Sequence, residues 1–344
     1  MKAFSGRAVA LALVMASSGL AGTAAAEDKV VNLYTGRHYQ TDEKLYAEFT
    51  RQTGIKINRI EGKEDEIIER IRNEGANSPA DVLITVDMGR IWKAEQAGLL
   101  APVKSATLEQ RIPSNLRDPE GKWFAFSTRA RVLIYAKDRI KPEQVDRYED
   151  LASAALKGKV CVRSSGNIYN LSLLASIIAT QGEQKAEEWA KGVVANMARP
   201  PQGGDTDQIK AVAAGQCDVA VSNTYYFARI LNSTKEDDKA IAAKLAISFP
   251  NQADRGTHVN ISGGGLVKTA PNKQNGIKFL EYLVSDEAQR YFANGNNEYP
   301  VAEVKTDNKV LEGWGSFKTD KVNVGELGRN QAKAQAIFNK VGWK

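Results

Sequence analysis

The sequence predicts an α/β protein built as two doubly wound lobes joined by crossing strands. Three observations carry that expectation. Short β-branched runs alternate with amphipathic helices from residue 30 onward, the pattern of a mostly parallel sheet covered on both faces. The chain has 344 residues, more than one ordinary core organises. At Trp123–Ser127 with Arg131–Ala136, and again around Thr257–Ser262, strand-like segments follow one another with little helix between them, as they do where a chain crosses between lobes.

Taken in order, Val30–Tyr34 reads as a strand and Asp42–Thr53 as an amphipathic helix stopped by Gly54. Lys56–Ile60 is a strand, Glu64–Asn73 a helix, Asp81–Thr85 a strand, and Gly89–Ala97 a helix stopped by Gly98. After the first crossing come the strand Lys159–Arg163 and helices Tyr169–Thr180, Gln184–Met197 and Thr206–Ala214. A short apolar strand, Cys217–Ser222, leads into a helix running to Leu231, with Asn223 or Thr224 as its N-cap. Leu245–Phe249 is the next strand. Thr257–Ser262, a turn at Gly263-Gly264-Gly265 and the strand Leu266–Lys268 read as the crossing back. Helices Asn272–Val284 and Asp286–Ala293 rejoin the first lobe, and a last helix falls near Gln331–Val341. The expected division is therefore 27–128 and 257–303 for the first lobe, 129–256 and 304–344 for the second. Two such lobes form a cleft that closes on a ligand by hinge motion, the architecture of exported solute-binding proteins.

Residues 1–26 read as a secretory leader: Lys2 and Arg7 form its basic start, Ala8–Met15 is an apolar run too short to span a bilayer, and Ala24-Ala25-Ala26 suits a cleavage site. The mature chain then begins near Glu27 with about 318 residues and is expected in the periplasm. The formal charge of +6 is spread among interspersed carboxylates, with no basic block or arginine–aromatic stripe for nucleic acid. In an oxidising compartment the only two cysteines, Cys161 and Cys217, are expected to form a disulfide between neighbouring strands, worth roughly 4 kcal/mol in the chain-entropy model. Two cysteines and two histidines make a poor zinc site, and neither a G-x-S-x-G elbow nor an H-E-x-x-H pair is present, so a hydrolase is disfavoured.

The chemistry gathers at the carboxyl ends of three strands, where open α/β sheets bind ligands. The first strand is followed by Thr35-Gly36-Arg37-His38-Tyr39-Gln40, and the strand of Cys161 by Ser164-Ser165-Gly166-Asn167-Ile168-Tyr169-Asn170. The strand of Cys217 is followed by Tyr225-Tyr226, with Arg229 one helical turn beyond. An aromatic pair packed in a core is the plainer reading of Tyr225-Tyr226 alone; three tyrosine-bearing strand ends argue for a shared guest. Ionising one tyrosine at pH 7 costs about 4 kcal/mol, and four about 16 kcal/mol. A hard trivalent cation repays that cost, and ferric iron is the abundant one; softer ions call for thiolates, calcium and magnesium for carboxylates and carbonyls. Four phenolates and a neutral imidazole around such an ion leave one excess negative charge, which Arg229 is placed to balance. His258 lies in a crossing strand and reads as structural. Tyr46, Tyr135, Tyr282 and Tyr299 sit in periodic apolar contexts and read as core, while Arg37, Arg129 and Arg131 read as hinge residues or as neighbours of the ligands.

Gly36-Arg37-His38-Tyr39, Ser165-Gly166-Asn167-Ile168-Tyr169-Asn170 and Ser222-Asn223-Thr224-Tyr225-Tyr226, in that order over the mature chain, resemble the periplasmic ferric-iron-binding proteins of iron ABC importers, a transferrin-like branch of the type II periplasmic solute-binding proteins. The resemblance implies a binding protein, not an enzyme. The implied ligands are His38, Tyr39, Tyr169, Tyr225 and Tyr226, the implied cargo is Fe3+ with Fe2+ as the alternative, and the implied partner is an inner-membrane ABC permease served by a monomer. Other branches use a carboxylate after the third strand together with a bound anion. Asp87 lies near that place, but with Tyr169 present it is not expected as a ligand, and whether an anion such as carbonate completes the sphere stays open. The competing reading is the same fold binding a small organic solute or oxyanion in an aromatic cleft.

Overall fold

The computed structural model describes residues 29–344 except His38 and Gln40, together with Met1. The expected leader and the expected ligand His38 therefore lie outside the described residues. From the first strand, the order is β1 (Val30–Thr35), α1 (Asp42–Thr53), β2 (Lys56–Glu61), α2 (Glu64–Glu74), β3 (Val82–Val86), α3 (Met88–Gln96), β4 (Leu100–Ala101), α4 (Ala106–Arg111) and β5 (Phe124–Ala136). Then come β6 (Val160–Cys161), α5 (Ile168–Gln181), α6 (Glu183–Asn196), α7 (Asp205–Ala213), β7 (Val219–Asn223), α8 (Thr224–Leu231), α9 (Glu236–Lys244) and β8 (Leu245–Ser248). The chain ends with β9 (Val259–Val267), α10 (Lys273–Leu283), α11 (Asp286–Asn296), β10 (Tyr299–Pro300), α12 (Lys309–Trp314), α13 (Gly325–Arg329) and α14 (Gln331–Val341).

The sheet runs β2-β1-β3-β9-β5-β7-β6. β1 pairs parallel with β2 and β3, and β6 parallel with β7, as strand–helix alternation dictates. β5 and β9 run antiparallel to their neighbours, because they carry the chain from one half to the other. β5 is shared: Phe124–Ala130 pair with β9, while Arg131–Tyr135 pair with β7.

Two expectations need correction here. The two short strands at 123–127 and 131–136 are one strand of 13 residues, buried throughout. The triple glycine is not a turn but the middle of β9. Neighbouring backbones explain it. A Cβ on Gly263 would sit 2.4 Å from the Phe124 carbonyl oxygen, on Gly264 1.8 Å from that of Leu83, and on Gly265 2.1 Å from that of Lys122. Only glycine lets β3, β9 and β5 come so close.

Helix boundaries follow ordinary end signals. α1 stops where Gly54 turns left-handed, its N–H bonded to the Thr50 carbonyl. α5 starts at Asn167, whose side chain accepts from the Asn170 N–H. One core packs Leu33, Ile84, Phe124, Phe126, Phe279 and Leu283 around the β2-β1-β3 end. A second gathers Leu133, Tyr148, Leu174, Trp189, Phe338 and Trp343 around β7 and β6, and a third covers the other face of those strands with Ile134, Val212 and Phe227. Truncating a buried phenylalanine such as Phe279 to alanine costs about 3–5 kcal/mol. The C-terminal helices serve both halves: Leu327 of α13 lies in the first core, Ile337 and Phe338 of α14 in the second. Cys161 and Cys217 are joined, stapling β6 to the start of β7 as expected.

Candidate metal centre

Each tyrosine owes its place to a strand end. Tyr225 opens the first turn of α8, directly after β7. Asn223 stands at the N-cap position of that helix, yet its side chain makes no cap bond. It faces inward instead, with its amide 3.5 Å from the Tyr225 hydroxyl and its carbonyl oxygen accepting from Arg131 Nη1 at 3.2 Å. Tyr169 sits in the first turn of α5, and its hydroxyl oxygen lies 3.3 Å from that of Tyr225. Tyr226 packs its ring 4.3 Å from that of Tyr225, centroid to centroid, and its outer edge borders a surface cavity of about 700 Å³. Tyr39 comes from the loop after β1 and shares the Arg229 guanidinium with this pair: Cζ lies 5.4 Å from its ring centre, 5.1 Å from Tyr225 and 5.7 Å from Tyr226.

Four phenols, from three segments remote in sequence, thus meet in one place. Their electrostatics report the same gathering. Burial pushes the Tyr225 phenol well above its usual range, and Tyr169, Tyr39 and Tyr226 push it further. Tyr169 is raised by burial and then by Tyr226 and Tyr39, against the opposing pull of Arg129. Tyr39 is raised by burial and Glu298, against Arg37, Arg129 and Arg229. Without a cation these three phenols hold their protons at neutral pH.

A wall of guanidinium groups surrounds them. Arg129, Arg131 and Arg163 stand 5.9, 5.7 and 5.5 Å from the Tyr169 ring centre. Arg37 lies 4.7 Å over Tyr39, but its charge is already matched by buried ion pairs to Asp42 at 2.8 Å and Glu298 at 3.2 Å. Arg229 is exposed and forms no ion pair among the described residues, so no carboxylate neutralises it beside the phenols.

A family model described as bacterial extracellular solute-binding protein matches residues 77–317. The chain belongs to that family. Iron uptake protein A1 of Synechocystis is 52% identical to it over 92% of this chain and 88% of its own length. The structure described as Trichodesmium IdiA (FutA) in complex with iron and citrate ligands superposes with a TM-score of 0.89 at 57% identity, covering 92% of this chain and all of that one. A ferric binding protein from Campylobacter jejuni gives a TM-score of 0.85 at 41% identity, covering 91% of this chain and all of that one. The family is one of binding proteins rather than enzymes.

Within this solute-binding fold the remaining titratable groups have structural work. Asp87 caps α3, accepting from the Gly89 N–H at 2.9 Å; the Ser172 hydroxyl and the Asn260 amide also donate to it, at 2.7 and 2.8 Å. Both its oxygens are used by protein donors. His258 is fully enclosed just before β9, and burial, with Arg131, Arg129 and Arg255 nearby, drives its pKa down to about 3. Tyr46, Tyr135 and Tyr282 are buried in the cores. Tyr299 is partly buried against Phe317. Among the described residues no three of His, Cys, Asp and Glu come together to hold a metal, so the tyrosine cluster stands alone.

Sequence reading missed the polar lattice under the tyrosines. Asp205 at the start of α7 accepts from Arg131, Arg163 and the backbone of Asn223. The available signal was the asparagine flanking two of the three tyrosine segments, Asn170 after Tyr169 and Asn223 before Thr224-Tyr225. Asp205, distant in sequence, gave none.

Proposed function

We propose that this protein captures ferric iron between two lobes and delivers it to an ABC-type importer of the inner membrane. The ligands in this reading are Tyr39, Tyr169, Tyr225 and Tyr226 as phenolates, with His38 completing the set. The observation that carries it is the meeting of Tyr169 and Tyr225 oxygens at 3.3 Å inside a group of four phenols. Neutral phenols packed so closely gain little from one another, whereas one small trivalent cation touching all of them repays several deprotonations at once. The iron named for the similar Synechocystis, Trichodesmium and Campylobacter proteins supports the same cargo. Ferrous iron, with less charge, repays fewer phenolates.

In this reading the lobes are the two halves built around the separate cores, 27–128 with 257–303 and 129–256 with 304–344, and Leu327 reaches back from the second segment into the first core. Tyr169, Tyr225 and Tyr226 share the second lobe and hold the ion first; Tyr39 and His38 engage as the cleft shuts. In the same reading residues 1–26 are a secretory leader and the mature chain works in the periplasm.

The test is metal analysis with a visible spectrum of protein purified from its native compartment. One iron per chain with a phenolate-to-iron charge-transfer band is expected. Protein that stays colourless when given ferric iron, or that carries an organic solute instead, overturns the proposal.

A further inference from the structure

We propose that Arg131 is a positioning residue: a strut, anchored on Asp205, that fixes the spacing of Tyr169 and Tyr225 before any metal arrives. The proposal rests on the ferric reading above and names the device that presets its half-site.

The two tyrosines belong to different elements, and nothing in the backbone joins α5 to α8 at that level. The side chains do. Arg131 projects from β5 opposite Asn223, its register partner on β7. Its Nη1 donates to the Asn223 side-chain Oδ1 at 3.2 Å, and its Nη2 to the Asn170 side-chain Oδ1 at 2.9 Å. Asn170 follows Tyr169, and Asn223 approaches the Tyr225 hydroxyl at 3.5 Å. One planar guanidinium therefore touches the asparagine beside each tyrosine. Both asparagines are held from their other sides as well: Asn170 donates to the carbonyls of Arg163 and Ser164 at 2.9 and 3.2 Å, and the Asn223 N–H donates to Asp205 at 2.7 Å.

Asp205 is the anchor. It is fully buried, ion-pairs with Arg131 at 2.5 Å and takes Arg163 at 3.3 Å on its other oxygen. A lysine cannot replace Arg131 in this role, since its single ammonium cannot present the rigid fork that spans Asp205, Asn223 and Asn170 together. Supports of this kind around metal ligands typically change metal affinity by about 10–100-fold when lost. Arg131 touches no phenolate oxygen, and its work is done through the asparagines.

The experiment compares the full wild-type chain with Arg131→Lys and with a disulfide-free control, Cys161→Ser/Cys217→Ser, which loosens the same half without touching the tyrosines. Asn170→Ala, which removes one arm of the strut and leaves the Arg131–Asp205 pair intact, replaces Arg131→Lys if that variant does not fold. Ferric affinity is measured by competition with a chelator, the charge-transfer band is recorded, and metal-free crystals give the Tyr169–Tyr225 oxygen separation. The strut variants should bind ferric iron about 10–100-fold more weakly, with a shifted and weakened band, and should open the separation beyond the 3.3 Å of the intact chain. The control should keep both band and separation. A strut variant with the wild-type band, or one whose separation is unchanged, overturns the proposal. So does a loss of affinity matched by the control. A wild-type chain that takes up no iron, combined with a widened separation in Arg131→Lys, refutes the ferric reading and leaves the strut standing.

Discussion

Lowering the pH should strip the metal long before it unfolds the chain, and the structure sets the steepness. Tyr39, Tyr169 and Tyr225 are all pushed above the ordinary tyrosine range, by burial first and then by neighbouring charges. In the proposed complex each enters as O–H and ends as a phenolate with a much lower pKa. The sign follows directly: the metal-free state binds more protons, so affinity is present at high pH and falls as pH drops. These three groups alone release about three protons per ion, so each pH unit should change affinity by at least about a thousandfold, or about 4 kcal/mol. A pH-stat titration with a ferric chelate at pH 7, corrected by a blank for protons taken up by the freed chelator, counts them directly. Chelator competition between pH 7 and pH 6 should give the same slope. Release of one proton or none, or an affinity flat across that range, would refute phenolate ligation by this cluster.

Three further outcomes test other parts of the reading. Tyr225→Phe should remove most of the charge-transfer colour and affinity while leaving thermal stability within about 1.5 kcal/mol, because the ring still fills its buried place; a variant that keeps full colour excludes Tyr225 as a ligand. His38→Ala should stay coloured but release iron faster and scatter X-rays as a more open particle, so a fully closed loaded variant contradicts the expected order of engagement. Gly264→Ala should cost at least about 3 kcal/mol in denaturant unfolding, because its Cβ falls 1.8 Å from the Leu83 carbonyl oxygen; a loss below about 1 kcal/mol would mean that β3 and β9 yield easily.

Local signals were readable wherever chemistry and periodicity agreed. The bounds of α1 and α14 follow from the sequence, α1 because Gly54 ends an amphipathic run cleanly. The strand-to-helix unit of Tyr225-Tyr226 was legible because a short apolar strand and a helix of marked amphipathicity meet there. The triple glycine misled because its cause is not local: three flanking carbonyls, two from β3 and β5 and one from the loop before β5, leave no room for side chains. Residues 159–163 promised a longer strand, but pairing with β7 covers only Val160 and Cys161 before the chain turns toward the Tyr169 segment. At the site, the tyrosines were visible because unusual residues recur at equivalent strand ends. Asp205 and Ser172 were not, because an aspartate at a helix start and a serine within a helix look like any others.

β5 acts as a ruler for the molecule. One continuous strand belongs to both halves of the sheet, and Arg129 and Arg131 stand two residues apart on it, on one face of the pleat, where its partner changes from β9 to β7. Loops that neither carry nor lead into a tyrosine segment can lengthen or shorten in a lineage without moving the tyrosines. A single residue gained or lost between Ser127 and Arg129 would turn both arginines to the opposite face and shift one half past the other by about 3.4 Å. Length variation among descendants of this sequence should therefore avoid this one segment even where its side chains are free to change.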